Sequence, residues 1–187
     1  MNNFTSLPNL LTLARIVLIP VLVIIFYLPF KNANLIAACL FAAASFTDWL
    51  DGYLARKLNM TSPFGAFLDP VADKLLISTT LLLLVGAKEI DYITIPALII
   101  VGREIVISAL REWMAEIGKR ASVAVGYIGK AKTGIQMLAL MLLLAFTPFA
   151  SWWGTIGFVL LYVAAILTIW SMIIYLSIAW PDLMKKN

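Results

Sequence analysis

From Thr133 to Pro181 the chain carries no charged side chain. A membrane-crossing helix needs about 20 apolar residues. The run therefore has room for two, with the break expected around Thr147, Pro148 and Ser151 to Gly154. The pattern recurs upstream, where Ile16–Phe30 and Ala33–Thr47 are also uncharged. Over all 187 residues, 63% are hydrophobic and 13% charged, with a mean hydropathy of +0.98. A soluble domain is about a quarter charged. These features predict an all-α polytopic membrane protein in which residues 1–187 form a single membrane domain.

The chain in order predicts six transmembrane helices plus a short N-terminal interfacial helix. Residues 4–15 mix apolar and small polar side chains, with Pro8 suited to a first turn, and read as the interfacial helix; the alternative is the first turns of span one. Span one continues through Phe30, interrupted by Pro20 and Pro29, and reads as a retained span rather than a cleaved leader. Span two begins at Ala33 and projects past Asp48 to about Leu58. A turn at 59–63 leads to a third helix from Phe64 to Gly86. A polar loop at 88–91 precedes span four, from Tyr92 to Ile117. Residues 118–132 form the longest polar connection before the last two spans.

Six spans put both termini on one side. Arg15, Arg56, Lys57, Lys119, Arg120, Lys130, Lys132, Lys185 and Lys186 fall on that side, and only Lys31 and Lys88 on the other. By the positive-inside rule the termini are cytoplasmic.

The absence of histidine excludes a His base, a Ser-His-Asp triad and His-ligated metals. The single cysteine, Cys39, excludes an intrachain disulfide. Chemistry must therefore rest mainly on Asp, Glu, Lys, Arg or Tyr.

Four of the ten acidic residues lie between Thr47 and Lys74: Asp48, Asp51, Asp69 and Asp73. Helical positions three and four apart share a face. Asp48, Asp51, Gly52 and Ala55 form one such stripe; Gly65, Asp69 and Asp73 form another. A short turn would make the two helices antiparallel neighbours and let four carboxylates converge. Such a cluster attracts cations, and oxygen ligands without Cys or His favour Mg²⁺, Mn²⁺ or Ca²⁺. The small residues leave room for a ligand, and Arg56 suits a phosphate. Together they describe a two-metal phosphoryl-transfer site. The alternatives are helix-end salt bridges with Arg56, Lys57 and Lys74, and small residues that serve only packing.

The stretch resembles the signature of the CDP-alcohol phosphotransferase family, D-x2-D-G-x2-A-R-x8-G-x3-D-x3-D, and fills every fixed position. The resemblance implies that Asp48, Asp51 and Asp69 are ligands of two Mg²⁺ or Mn²⁺ ions. It implies that Asp73 belongs to the metal site with them and is also the catalytic base for the acceptor hydroxyl. Gly52, Ala55, Arg56 and Gly65 would bind the CDP-lipid.

LPNLLTLARI near the start and 102–133 extend the likeness over nearly the whole chain. It implies a homodimer in the bacterial inner membrane, with the site opening to the cytoplasm and CDP-diacylglycerol as donor. The detail of 102–133 is similar to members whose acceptor is glycerol 3-phosphate, the step that commits lipid to phosphatidylglycerol and cardiolipin. Inositol phosphate or serine is the alternative acceptor, and a cation-coupled transporter the alternative class. Membrane lipids are expected partners and nucleic acid is not.

A phosphorylated acceptor needs cations. Arg103 stands deep in span four, Arg111 follows about 80° around the same helix, and Lys130 and Lys132 enter the next span. These four are the candidate acceptor-phosphate residues, with a pair between Arg103 and Glu104 as the alternative for Arg103. Lys119 and Arg120 are expected at the anionic lipid surface. Asn9, Thr12 and Arg15 form a polar strip that suits either the headgroup or interfacial anchoring.

Overall fold

The computed structural model describes residues 7–57, 63–87, 92–119 and 127–184; within these, the side chains of residues 7–8, 49, 51–56, 63, 66, 127–128 and 130 lie outside the description. The expected turn at 59–63 therefore falls almost wholly outside the described residues, as does the loop at 88–91. All regular structure among them is helical: α1 (Leu7–Tyr27), α2 (Ala33–Lys57), α3 (Pro63–Gly86), α4 (Thr94–Glu116), α5 (Tyr127–Ala145) and α6 (Trp152–Leu183).

Three expectations change. The interfacial helix is not separate, because α1 runs unbroken from Leu7 to Tyr27 through Pro20. No breaker lies between Pro8 and Pro20. An internal proline removes one backbone bond and bends a helix, but an apolar surround can tolerate it. Next, the polar connection after α4 is shorter than 118–132, since residues 127–132 already belong to α5. Finally, α6 continues past Pro181 to Leu183.

Packing follows the small residues. The α5–α6 pair is the most closely packed, and a Cβ added to Gly154 would come within 2.3 Å of the Thr147 carbonyl oxygen. One added to Gly157 would meet Leu142 Cβ at 2.8 Å. In contrast, α2 and α3 touch each other little among the described residues; α1 lies against both. The expected α2–α3 turn lies almost wholly outside the described residues; what the structure adds is that α1 packs against both helices. One apolar core joins Leu22, Phe41, Leu81, Ile100, Leu140 and Leu161, and a smaller one joins Ile107, Leu110 and Met114 of α4 to Tyr175 and Ala179 of α6.

The outer surface is apolar as well. Val17, Leu82, Leu98, Ile105 and Ile166 are all more than three-fifths exposed. Water-soluble monomers rarely display so much contiguous apolar surface. Two helices, α1 from Asn9 and α6, are long and apolar enough to cross a bilayer. The chain is a helical membrane protein.

Candidate active site

Polar side chains gather at one end of the bundle, where α1, α3 and α5 begin and α2, α4 and α6 finish. Two clusters form there.

The first is built on α1. Arg15 is fully buried, and its Nη1 donates to Asp48 Oδ1 of α2 at 2.7 Å and to Asp73 Oδ1 of α3 at 3.1 Å. The two carboxylate oxygens share one nitrogen, so they lie no further apart than those two bonds end to end. One turn earlier, the buried Thr12 hydroxyl donates to Asp69 Oδ1 at 2.7 Å. Asn9 completes the buried strip. Its spacing of three residues keeps one face of α1 turned to the aspartates.

Of the four aspartates expected to converge, Asp48 and Asp73 meet at Arg15 and Asp69 is held by Thr12 on the same helix, while the Asp51 side chain lies outside the description; the sequence missed what anchors them. Asn9, Thr12 and Arg15 do not lie in the interface; they form the third wall. The available signal was Arg15 itself, the one charge between Leu7 and Phe30. A single charge within an apolar helix implies a partner of opposite sign.

Of the expected ligands and binders, Asp48, Asp69, Asp73 and the buried Gly65 are described at this end. Asp51, Gly52, Ala55 and Arg56 belong to α2, with side chains outside the description. Among the described residues no three acidic side chains group closely enough to hold a metal by themselves. The donor set is nonetheless of the hard-oxygen kind, half-exposed, and already organised around a positive charge. That chemistry fits Mg²⁺ or Mn²⁺.

The second cluster is basic. Arg103 of α4 is buried but not alone. Its Nη1 donates to Glu104 Oε1 at 2.9 Å and its Nη2 to Ser171 Oγ of α6 at 3.2 Å. Lys132 of α5, almost fully buried, donates to the same Glu104 Oε1 at 3.3 Å. The guanidinium carbons of Arg103 and Arg111 lie 5.8 and 5.4 Å from the centre of the Tyr175 ring. The Nε atoms of Arg103 and Arg111 are buried without a hydrogen-bond partner among the described residues. Three of the four expected acceptor cations are therefore brought together, with Glu104, Ser171 and Tyr175 as unforeseen company. The Lys130 side chain lies outside the description.

The two clusters adjoin. Lys74, next to Asp73, donates to Ser108 of α4, which lies one turn beyond Glu104. Among the described residues Lys74 is thus engaged with Ser108 and forms no ion pair with an aspartate. Lys119, expected at the lipid surface, is exposed and pairs with Asp182 at the end of α6.

Comparison with known proteins gives a consistent picture. The family model for CDP-alcohol phosphatidyltransferase matches residues 5–178. The chain is similar to the CDP-diacylglycerol–glycerol-3-phosphate 3-phosphatidyltransferase of Salmonella choleraesuis (strain SC-B67), 52% identical over 181 residues, covering 97% of this chain and 98% of that one. The protein of the same description from Pseudomonas fluorescens is 50% identical over 179 residues, covering 95% and 92%. That from Shigella flexneri is 51% identical, covering 97% and 98%.

Proposed function

The chain belongs to the CDP-alcohol phosphatidyltransferase family, and from that premise we propose how its two clusters divide the work. It is a phosphotransferase that moves the phosphatidyl group of CDP-diacylglycerol to glycerol 3-phosphate, giving phosphatidylglycerophosphate and CMP. The observation that carries this reading is the adjacency of an acidic and a basic cluster at one end of the bundle, joined by Lys74 and Ser108. An acidic cluster suits the metal-bound diphosphate of the donor. A basic nest suits the phosphate of the acceptor.

In this reading Asp48, Asp51 and Asp69 hold Mg²⁺ or Mn²⁺, with Asp73 beside them. When bound, the ions neutralise the diphosphate and the charge that develops on the departing CMP. Arg15 and Thr12 fix the carboxylates from behind. Gly52, Ala55, Arg56 and Gly65 form the donor seat, where Arg56 offers a phosphate-binding fork. Arg103, Arg111, Lys130 and Lys132 take the acceptor phosphate and aim its free hydroxyl across the Lys74–Ser108 contact. Asp73 removes the hydroxyl proton as the oxygen attacks the phosphorus bearing diacylglycerol. The new P–O bond forms in line with the P–O bond to CMP, which breaks.

The proposal extends to topology. Residues 1–187 act as one membrane domain of six spans in the bacterial inner membrane, working as a homodimer among anionic lipids. In this reading the site and both termini are cytoplasmic, which the bias of Lys and Arg towards that side supports. The supporting feature is the buried polar end of a bundle whose flanks are apolar.

The test is CMP release by purified protein from CDP-diacylglycerol with Mg²⁺ or Mn²⁺ and a panel of acceptors. Release with glycerol 3-phosphate is expected. Release only with serine or inositol phosphate would reassign the acceptor, and no release with any acceptor would sink the enzymatic reading.

A further inference from the structure

Glu104 has no part in the chemistry above, yet the basic cluster is assembled on it. One of its oxygens accepts from Arg103 on its own helix and from Lys132 on α5, at 2.9 and 3.3 Å. The α4 and α5 backbones scarcely approach each other among the described residues. Glu104 thus spans a gap between two helices and draws the cation of one to that of the other.

The charge count points the same way. Arg103, Arg111 and Lys132 bring three positive charges together, and Glu104 is the carboxylate seated among them. Three cations this close would repel and turn apart without a resident anion. One carboxylate holds them in place and still leaves the nest doubly positive, which matches a phosphomonoester dianion. It also divides the donors. Arg103 Nη1 and Lys132 Nζ are engaged by Glu104 and Arg103 Nη2 by Ser171. The buried Nε atoms of Arg103 and Arg111 remain open among the described residues, on two guanidinium groups that share the Tyr175 ring.

We propose that Glu104 is a positioning residue for the acceptor: it sets the geometry and net charge of the Arg103–Arg111–Lys132 nest without touching the reacting atoms. This rests on the assignment of that nest to the acceptor phosphate.

The experiment compares Glu104→Ala, Glu104→Gln and Arg103→Ala in purified, folded enzyme, with KM for glycerol 3-phosphate, KM for CDP-diacylglycerol and kcat measured separately. Glu104→Ala is expected to raise the acceptor KM about tenfold, the size of one misplaced charged hydrogen bond. The donor KM stays within about twofold and kcat falls less than the acceptor KM rises. Glu104→Gln keeps an oxygen that can accept from the two cations but removes the balancing charge, and is expected to recover only part of the acceptor affinity. An unchanged acceptor KM in Glu104→Ala overturns the proposal, as does a Glu104→Gln enzyme with the parent's acceptor KM. If Glu104→Ala does not fold, Glu104→Asp takes its place. Its shortened carboxylate cannot reach both cations, and an unchanged acceptor KM again overturns the proposal. Arg103→Ala separates the two levels. If it leaves the acceptor KM unchanged, the nest is not the acceptor site. If it raises that KM while the Glu104 variants do not, only the positioning role falls.

Discussion

Replacing Arg15 by methionine tests how the acidic cluster is held together. Methionine keeps much of the length and apolar bulk of the stem and removes the guanidinium. Breaking a buried ion pair from one side costs about 3–5 kcal/mol, because a charge is left without its partner. Arg15 is wholly buried, but the side chains of Asp48 and Asp73 are 29% and 40% exposed, so water relieves part of that cost. A loss of about 2–3 kcal/mol is expected. Divalent metal should then restore more to the variant than to the parent. The vacated position lies between two carboxylates that favour a cation more strongly once Arg15 is gone. Metal at a hundred times its Kd adds about 2.7 kcal/mol to the folded state, comparable to the loss. The assay is thermal unfolding in detergent with and without Mg²⁺, for parent and Arg15→Met. The expected result is a destabilised variant whose melting temperature rises more with Mg²⁺ than the parent's does. An equal rise in both would refute the idea that guanidinium and metal answer the same carboxylates. Full stability of the metal-free variant would refute the idea that Arg15 anchors them.

Other substitutions follow from the same geometry. Asp48→Asn and Asp69→Asn should each abolish CMP release and weaken Mn²⁺ binding, measured by titration of the purified protein; undiminished binding would remove them from the ligand set. Asp73→Asn should lose turnover while still binding CDP-diacylglycerol, and full activity would exclude it as the base. Arg103→Ala should chiefly raise the KM for glycerol 3-phosphate, by tenfold or more on the scale of a lost charged hydrogen bond. Gly154→Ala has no room for its methyl group against the Thr147 carbonyl. It should cost about 1–3 kcal/mol of stability by overpacking, read as a lowered melting temperature.

Much of this was legible in the sequence because two kinds of information are local. Helix positions follow from long apolar runs bounded by Pro, Gly and charge, so α2, α3 and α4 begin and end within a few residues of the expected places. The faces within each helix follow from its period, which put Asp69 and Asp73 on one stripe. Neighbours do not follow from period. The sequence paired α2 with α3 through their short turn, and its period gave no sign that α1 lies against both and supplies the side chains that order their acids. The same limit hid Tyr175. A tyrosine in an uncharged run reads as packing, and only the crossing of α4 and α6 reveals two arginines at its ring.

The two clusters obey one rule with opposite signs. Where α2 ends and α3 begins, two carboxylates, Asp48 and Asp73, share one buried cation, Arg15. At the junction of α4, α5 and α6, several cations surround one carboxylate, Glu104. In each case the minority charge lets like charges be gathered in an apolar bundle without flying apart. In each case it is too small to neutralise them, so a net charge remains for a ligand. The residual negative charge calls for metal ions and the residual positive charge for a phosphate. Because Lys74 and Ser108 join the clusters, the two ligands would be brought side by side. That is the arrangement a transfer between a metal-bound diphosphate and a phosphorylated alcohol requires. It also explains why the minority residues escape a motif reading. Arg15 and Glu104 meet no substrate group in this scheme, yet removing either should loosen the cluster it balances.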